Sequence, residues 1–109
     1  MAVNLSELER LIAQVADQAI HDCADDLLAK SGEQVPHDMG TLELSGEVIR
    51  LDAGKYIVSY NTAYAVKQHE DLTLRHQRGR KAKYLEDPYN ENAQKYKDYI
   101  AAKIAEALK

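Results

Sequence analysis

Four histidines and one cysteine are the side chains of this 109-residue chain best suited to metal or nucleophile chemistry. Outside the first helical pattern the histidines stand beside charged neighbours, as His37-Asp38, His69-Glu70 and His76 next to a basic run. A zinc site needs three or four ligands brought together, and adjacent His-acid pairs lack the one-face spacing of helical zinc motifs. Neither HExxH nor CxxC occurs, so the histidines are expected to be solvated or hydrogen-bonded, with no metal and no cofactor. Cys23 falls on the apolar side of a helical pattern, which implies a buried, inert thiol in a reducing compartment. No serine sits in a GxSxG elbow, and no glycine-rich loop leads into a helix as a phosphate cradle would. Glu86 and Asp87 form a carboxylate pair, but their place before a helical pattern gives them the role of a helix-start charge and cap. Catalysis is therefore not expected.

The remaining chemical feature is cationic. Arg75, Arg78, Arg80, Lys81 and Lys83, with His76, fall within nine positions. Such a cluster holds phosphates, meets acidic faces of neighbouring subunits, or keeps a solvated loop in water. The chain as a whole carries a net charge of −4 with a pI near 5.5, so no global attraction for nucleic acid exists and only this local patch can supply one.

The elements that would position these groups follow from periodicity. Asn4 to Lys30 reads as one helix of about 38 Å, opened by a Ser6–Glu9 capping box and stopped by Ser31-Gly32 with a left-handed glycine. Its apolar face runs through Leu8, Leu11, Ile12, Val15, Ala19, Cys23, Leu27 and Leu28, while Asp17, Asp22 and Asp26 fall mostly on the polar side. That helix is longer than a hairpin and one other helix would cover, which leaves apolar surface for a neighbouring subunit. Gly46–Asp52 and Lys55–Asn61 alternate as two strands around the turn Asp52-Ala53-Gly54. Near Lys83–Glu86 the pattern is compatible with a third strand but too short to decide one. Ala63–Glu70 reads as a short helix, and Asp71–Lys83 as a long basic loop. A second long helix starts at Asp87, as cap, with Pro88 in its first position. All seven tyrosines lie between Tyr56 and Tyr99, with no Phe or Trp, which marks the C-terminal half as thinly covered or engaged between chains.

Two stretches carry a resemblance. Val35-Pro36-His37-Asp38-Met39-Gly40-Thr41-Leu42 matches a V-P-x-D-T-G-x-L turn. Downstream, Tyr64-Ala65-Val66-Lys67-Gln68-His69-Glu70 matches Y-A-x-x-Q-H-E, and Lys81-Ala82-Lys83-Tyr84-Leu85-Glu86-Asp87-Pro88 matches K-A-K-[YF]-L-E-x-P. In this order the motifs resemble the minor capsid and neck (head–tail joining, tail completion) proteins of tailed bacteriophages, over about Ser6 to Ile104. The chain departs from the pattern at Met39 and at Glu43, where Thr and Arg are common. The resemblance implies a structural virion protein without catalytic residues, assembling with itself as a ring or oligomer and with other head, neck or tail proteins. It implies Asp38, Gly40 and Pro88 as structural turn residues. It also implies Tyr84, Leu85 and Pro88 as the anchor of the last helix, and an assembly surface of Tyr64, Gln68, His69, Glu70 and Tyr84, to which the basic residues Arg75, Arg78, Arg80, Lys81 and Lys83 add their charge.

The expectation is a single domain over 1–109 of α+β class, with two long terminal helices packed on a small antiparallel sheet containing a hairpin, a short middle helix and a long basic loop. Its expected location is the virion, and the host bacterial cytoplasm during assembly, with transient proximity to DNA. With no basic-then-apolar leader and no apolar run near 20 residues, neither a signal peptide nor a membrane span is expected. The alternative reading is a small nucleic-acid-binding or regulatory module using residues 75–83.

Overall fold

The computed structural model describes residues 1–35, 45–60 and 84–109. Four elements follow in chain order: helix α1 (Ser6–Gly32), strands β1 (Gly46–Asp52) and β2 (Lys55–Tyr60), and helix α2 (Glu86–Ala107). The fold is α+β, with helices at both ends and an antiparallel two-stranded sheet between them.

α1 is the central element. At 27 residues it is about 40 Å long, with the hairpin on one flank and α2 on the other. α2 thus packs along α1 rather than over the sheet. Its start differs from the capping-box expectation. Ser6 is already helical and makes no side-chain cap, and the Asn4 side chain accepts the Ser6 N–H at 2.9 Å. The short Asn4 amide reaches an orphan donor of the first turn, which leaves Ser6 free to join the helix. Gly32 is also inside the helix. The chain leaves through Glu33 in right-handed geometry, and Gln34 and Val35 donate back to the Ser31 carbonyl. A left-handed glycine is unnecessary there because this tight exit satisfies the last carbonyls.

The hairpin pairs Gly46 with Tyr60, Val48 with Val58 and Arg50 with Tyr56, and Leu51 is skipped in the register. Gly54 closes the turn at φ +71°, a region that costs any residue with a Cβ. Gly46, Val48, Arg50, Tyr56, Val58 and Tyr60 therefore share one face, the face toward α1. Gly46 is needed for close approach, since a Cβ there would lie 2.8 Å from both Leu28 Cδ1 and the Tyr60 ring.

Tyr84 and Leu85 form a turn and Glu86 begins α2, so among the described residues no third strand forms at this position. Leu85, not Asp87, occupies the cap position, and Pro88 is the third helical residue, where it still forfeits no intrahelical bond. The turn expected at Asp38, the short helix Ala63–Glu70 and the basic loop Asp71–Lys83 lie outside the described residues.

Candidate assembly surface

One buried cluster gathers the chain at the C-terminal end of α1. Val35, Tyr60 and Tyr84 form it, with Leu28 and Leu85 packed against them. The Tyr60 and Tyr84 rings meet edge to face at 5.1 Å between centroids, the arrangement that opposes a positive ring edge to a negative face. Tyr60 also shares a 2.8 Å hydrogen bond between its hydroxyl and Ser31 Oγ, a buried group on α1. Burial, with Tyr60 alongside, pushes the Tyr84 hydroxyl up to about 12. Val35 immediately precedes 36–44, and Gly46, beside the Tyr60 ring, follows that stretch closely. Tyr60 precedes 61–83 and Tyr84 follows it. The cluster is therefore the common base of both motif-bearing stretches.

Tyr84 was expected to contribute to an assembly surface, but it is 1% exposed and belongs to the chain's own core. Pro88 is buried beside the start of α2. The other expected site residues, Tyr64, Gln68, His69, Glu70, Arg75, Arg78, Arg80, Lys81 and Lys83, and the turn residues Asp38 and Gly40, lie outside the described residues.

Along its flanks α1 is fastened by carboxylate–phenol hydrogen bonds. The Tyr99 hydroxyl donates to Asp22 at 2.6 Å and the Tyr96 hydroxyl to Asp26 at 2.7 Å, tying α2 to α1 in antiparallel register. On the other flank Asp17 accepts from the Gly54 N–H at 2.8 Å and the Tyr56 hydroxyl at 3.0 Å, with Arg50 Nε at 3.3 Å. His21 stacks flat on Tyr56 at 5.1 Å. These donors hold all three carboxyls below their ordinary value. For Asp17 the first cause is the Gly54 N–H, for Asp22 the Tyr99 hydroxyl, and for Asp26 the hydrogen bond from Lys30. Sequence reasoning placed these aspartates on a polar face and missed their partners on the hairpin and α2, which lie 33 to 77 positions away. Tyr56, Tyr60, Tyr84, Tyr96 and Tyr99 thus make contacts inside the chain, while Tyr89 is 50% exposed.

Because β2 and α2 flank α1 from different sides, an open apolar trough of about 820 Å³ runs between them. Ile20, Cys23, Ala24 and Leu27 make its floor, β2 lends Tyr56 and Val58, and the α2 wall runs from Leu85 through Tyr89 and Ala93 to Ile100. Cys23 is buried, its Sγ 3.9 Å from the Tyr96 carbonyl oxygen, and desolvation raises its thiol above the ordinary value. That environment disfavours the thiolate a nucleophile needs.

Past the end of α2 the apolar stripe of α1 continues. From the Asp22–Tyr99 contact eight residues remain on α2 to Ala107, and eight steps back along α1 reach Gln14. Leu5, Leu8 and Leu11 lie beyond that point, 56%, 43% and 39% exposed. The expectation of an over-long first helix is met by this overhang.

Among the described residues no group of three or more His, Cys, Asp or Glu side chains converges as metal ligands do, and no helix is long and apolar enough to cross a membrane. No family model matches the chain, and neither does any curated protein or solved structure.

Proposed function

We propose that this chain is a structural component of a tailed-bacteriophage virion, acting at the neck where head and tail join, through contacts with copies of itself and with other head, neck or tail proteins. No catalytic step is assigned to it. The observation that carries the reading is the set of three motifs in order, Val35–Leu42, Tyr64–Glu70 and Lys81–Pro88. The buried base at Val35, Tyr60 and Tyr84 supports it, because a single cluster tethers the stretches bearing all three. A trough and a helix end that present apolar side chains to water support it too, since such surface is characteristic of proteins that complete their cores against a partner.

The test is electron microscopy of particles made from the parent phage or prophage with this gene deleted. Filled heads separate from free tails are expected. Joined, infectious particles would refute the reading.

A second reading has one observation behind it. Residues 61–83 carry six Lys or Arg against two Asp or Glu, whereas the described residues carry eight against fourteen. This segregated positive charge suits phosphate contact. Under that reading the triple change Arg78→Ala, Arg80→Ala, Lys81→Ala abolishes salt-dependent DNA binding. Under the neck reading it leaves the fold intact and impairs assembly.

A further inference from the structure

Two apolar surfaces among the described residues are complementary in shape. One is convex, the leucine-bearing N-terminal end of α1 at Leu5, Leu8 and Leu11. The other is concave, the trough between β2 and α2, whose floor and wall include the small side chains Cys23, Ala24 and Ala93. We infer that they are the two halves of one contact: the N-terminal end of α1 in one copy docks in the trough of the next, so that copies associate head to tail. This rests on the reading of the chain as a self-assembling structural part, and names the surfaces it uses.

Four observations favour a second copy as the occupant. First, the N-terminal end of α1 cannot dock in the trough of its own chain. Leu11 and the trough floor from Ile20 to Leu27 stand on the same continuous helix, and their separation of about 14 to 24 Å is fixed by its rise. Second, the dimensions fit. The α2 wall from Leu85 to Ile100 is about 22 Å long and the end of α1 from Leu5 to Leu11 about 9 Å. Third, the charges fit. Glu9 sits one residue, or 100° of helix, from Leu8, and Lys97 stands on the rim of the trough, eleven residues along α2 from the other charged lining residue, Glu86. Neither Glu9 nor Lys97 forms an ion pair among the described residues, since Glu7 takes Arg10 and Lys103 takes Glu106. Fourth, a two-fold contact of leucine end against leucine end would bring Glu7 and Glu9 of one copy toward those of its mate. It would also leave both troughs open. Unlike surfaces meeting in this way form a heterologous contact, which propagates into a ring or a filament.

Sedimentation of the full chain over a wide concentration range tests the contact, with two variant classes that leave the buried cluster untouched. L8E together with L11E spoils the convex end, and Y89E spoils the trough at a residue 50% exposed. A93E serves as a second trough variant, and circular dichroism checks that the helices persist in each. The wild-type chain is expected to self-associate. Withholding two leucines from burial weakens that association by roughly 100-fold or more, and each variant class alone stays monomeric. An equimolar mixture of convex-end and trough variants is expected to form a one-to-one dimer that grows no further, because only one intact pair of surfaces remains.

Three results overturn the inference. They are a wild-type chain that stays monomeric throughout, trough variants that still self-associate while L8E/L11E does not, and mixed variants that fail to pair. The first removes the self-contact, the second assigns it to a two-fold leucine-end pairing, and the third separates the two surfaces. None of them touches the deletion phenotype. Unjoined heads and tails alongside a failed mixture would leave the neck reading standing and this contact refuted.

Discussion

The Ser31–Tyr60 hydrogen bond gives the sharpest test of how the two motif-bearing stretches are held. Both groups are buried, and their 2.8 Å contact joins α1 to the last residue of β2. Replacing Tyr60 by Phe keeps the ring against Tyr84 and removes only the hydroxyl, leaving Ser31 Oγ desolvated. An unsatisfied buried group costs about 1–3 kcal/mol, which for a domain near this size lowers Tm by roughly 4–8 °C for each kcal/mol. Ser31→Ala removes the other partner with almost no loss of volume. The double variant abolishes both polar groups together, and an apolar pair of the same shape is nearly neutral. The expected cycle is therefore strongly non-additive, with a coupling of about 0.5–3 kcal/mol. Urea unfolding followed by far-ultraviolet circular dichroism reads all four proteins. Additive losses within about 0.5 kcal/mol would refute the claim that this bond is an energetic link in the cluster.

Two further outcomes follow from the geometry. Gly54→Ala is expected to cost about 1–2 kcal/mol, because Gly54 holds φ +71° while the space for a Cβ is ample, with Ile20 Cδ1 at 3.7 Å; an unchanged urea midpoint would sink the assignment to backbone strain. Acid unfolding tests the three aspartates, whose folded values lie below the ordinary 3.8. Their unfolded forms bind protons first, so their contribution is present above about pH 4 and is lost as pH falls through the folded values. Replacing Asp22 and Asp26 by Asn is expected to flatten that acid limb, and an acid limb of unchanged steepness would count against it.

Where the folding signal is local, the sequence reads well. The α1 span is displaced by two residues at each end, β1 matches the expected strand, and β2 matches it over Lys55–Tyr60, with Asn61 outside the described residues. α2 begins one residue before the expected cap. Periodicity fixes these because each element buries one face, and Gly54 fixes the turn because positive φ suits glycine. The misses share a different cause. Asn4 replaces Ser6 at the helix start because two side chains compete for the same orphan donors, a contest that spacing alone does not decide. Gly32 stays in the helix because Gln34 and Val35 return to the Ser31 carbonyl. Near Lys83–Glu86, where the short pattern decides nothing, Tyr84 lies in a turn and enters the cluster with Tyr60, a long-range contact that local propensity does not encode. Of the candidate site, the overhang was legible from helix length. The trough was not, since it depends on the directions from which β2 and α2 approach α1.

Those directions are set by the polar seams, and this accounts for how so much apolar surface stays open. A helix held only by apolar packing settles over its neighbour's stripe and closes the space beside it. Here α2 is drawn to the Asp22 and Asp26 side of α1 by Tyr99 and Tyr96, while Asp17 draws the hairpin tip to the other flank through Gly54, Tyr56 and Arg50. Carboxylates are strong acceptors and hold phenols in fixed directions, so the two neighbours are pinned apart with Ile20, Cys23, Ala24 and Leu27 lining the trough between them. The same tyrosines that give the C-terminal half its odd composition therefore shape the concave surface. Had they been Phe, nothing directional would stop α2 rolling over the trough and burying it within one chain. Polar fastening along the flanks is what leaves the apolar centre available to a second molecule.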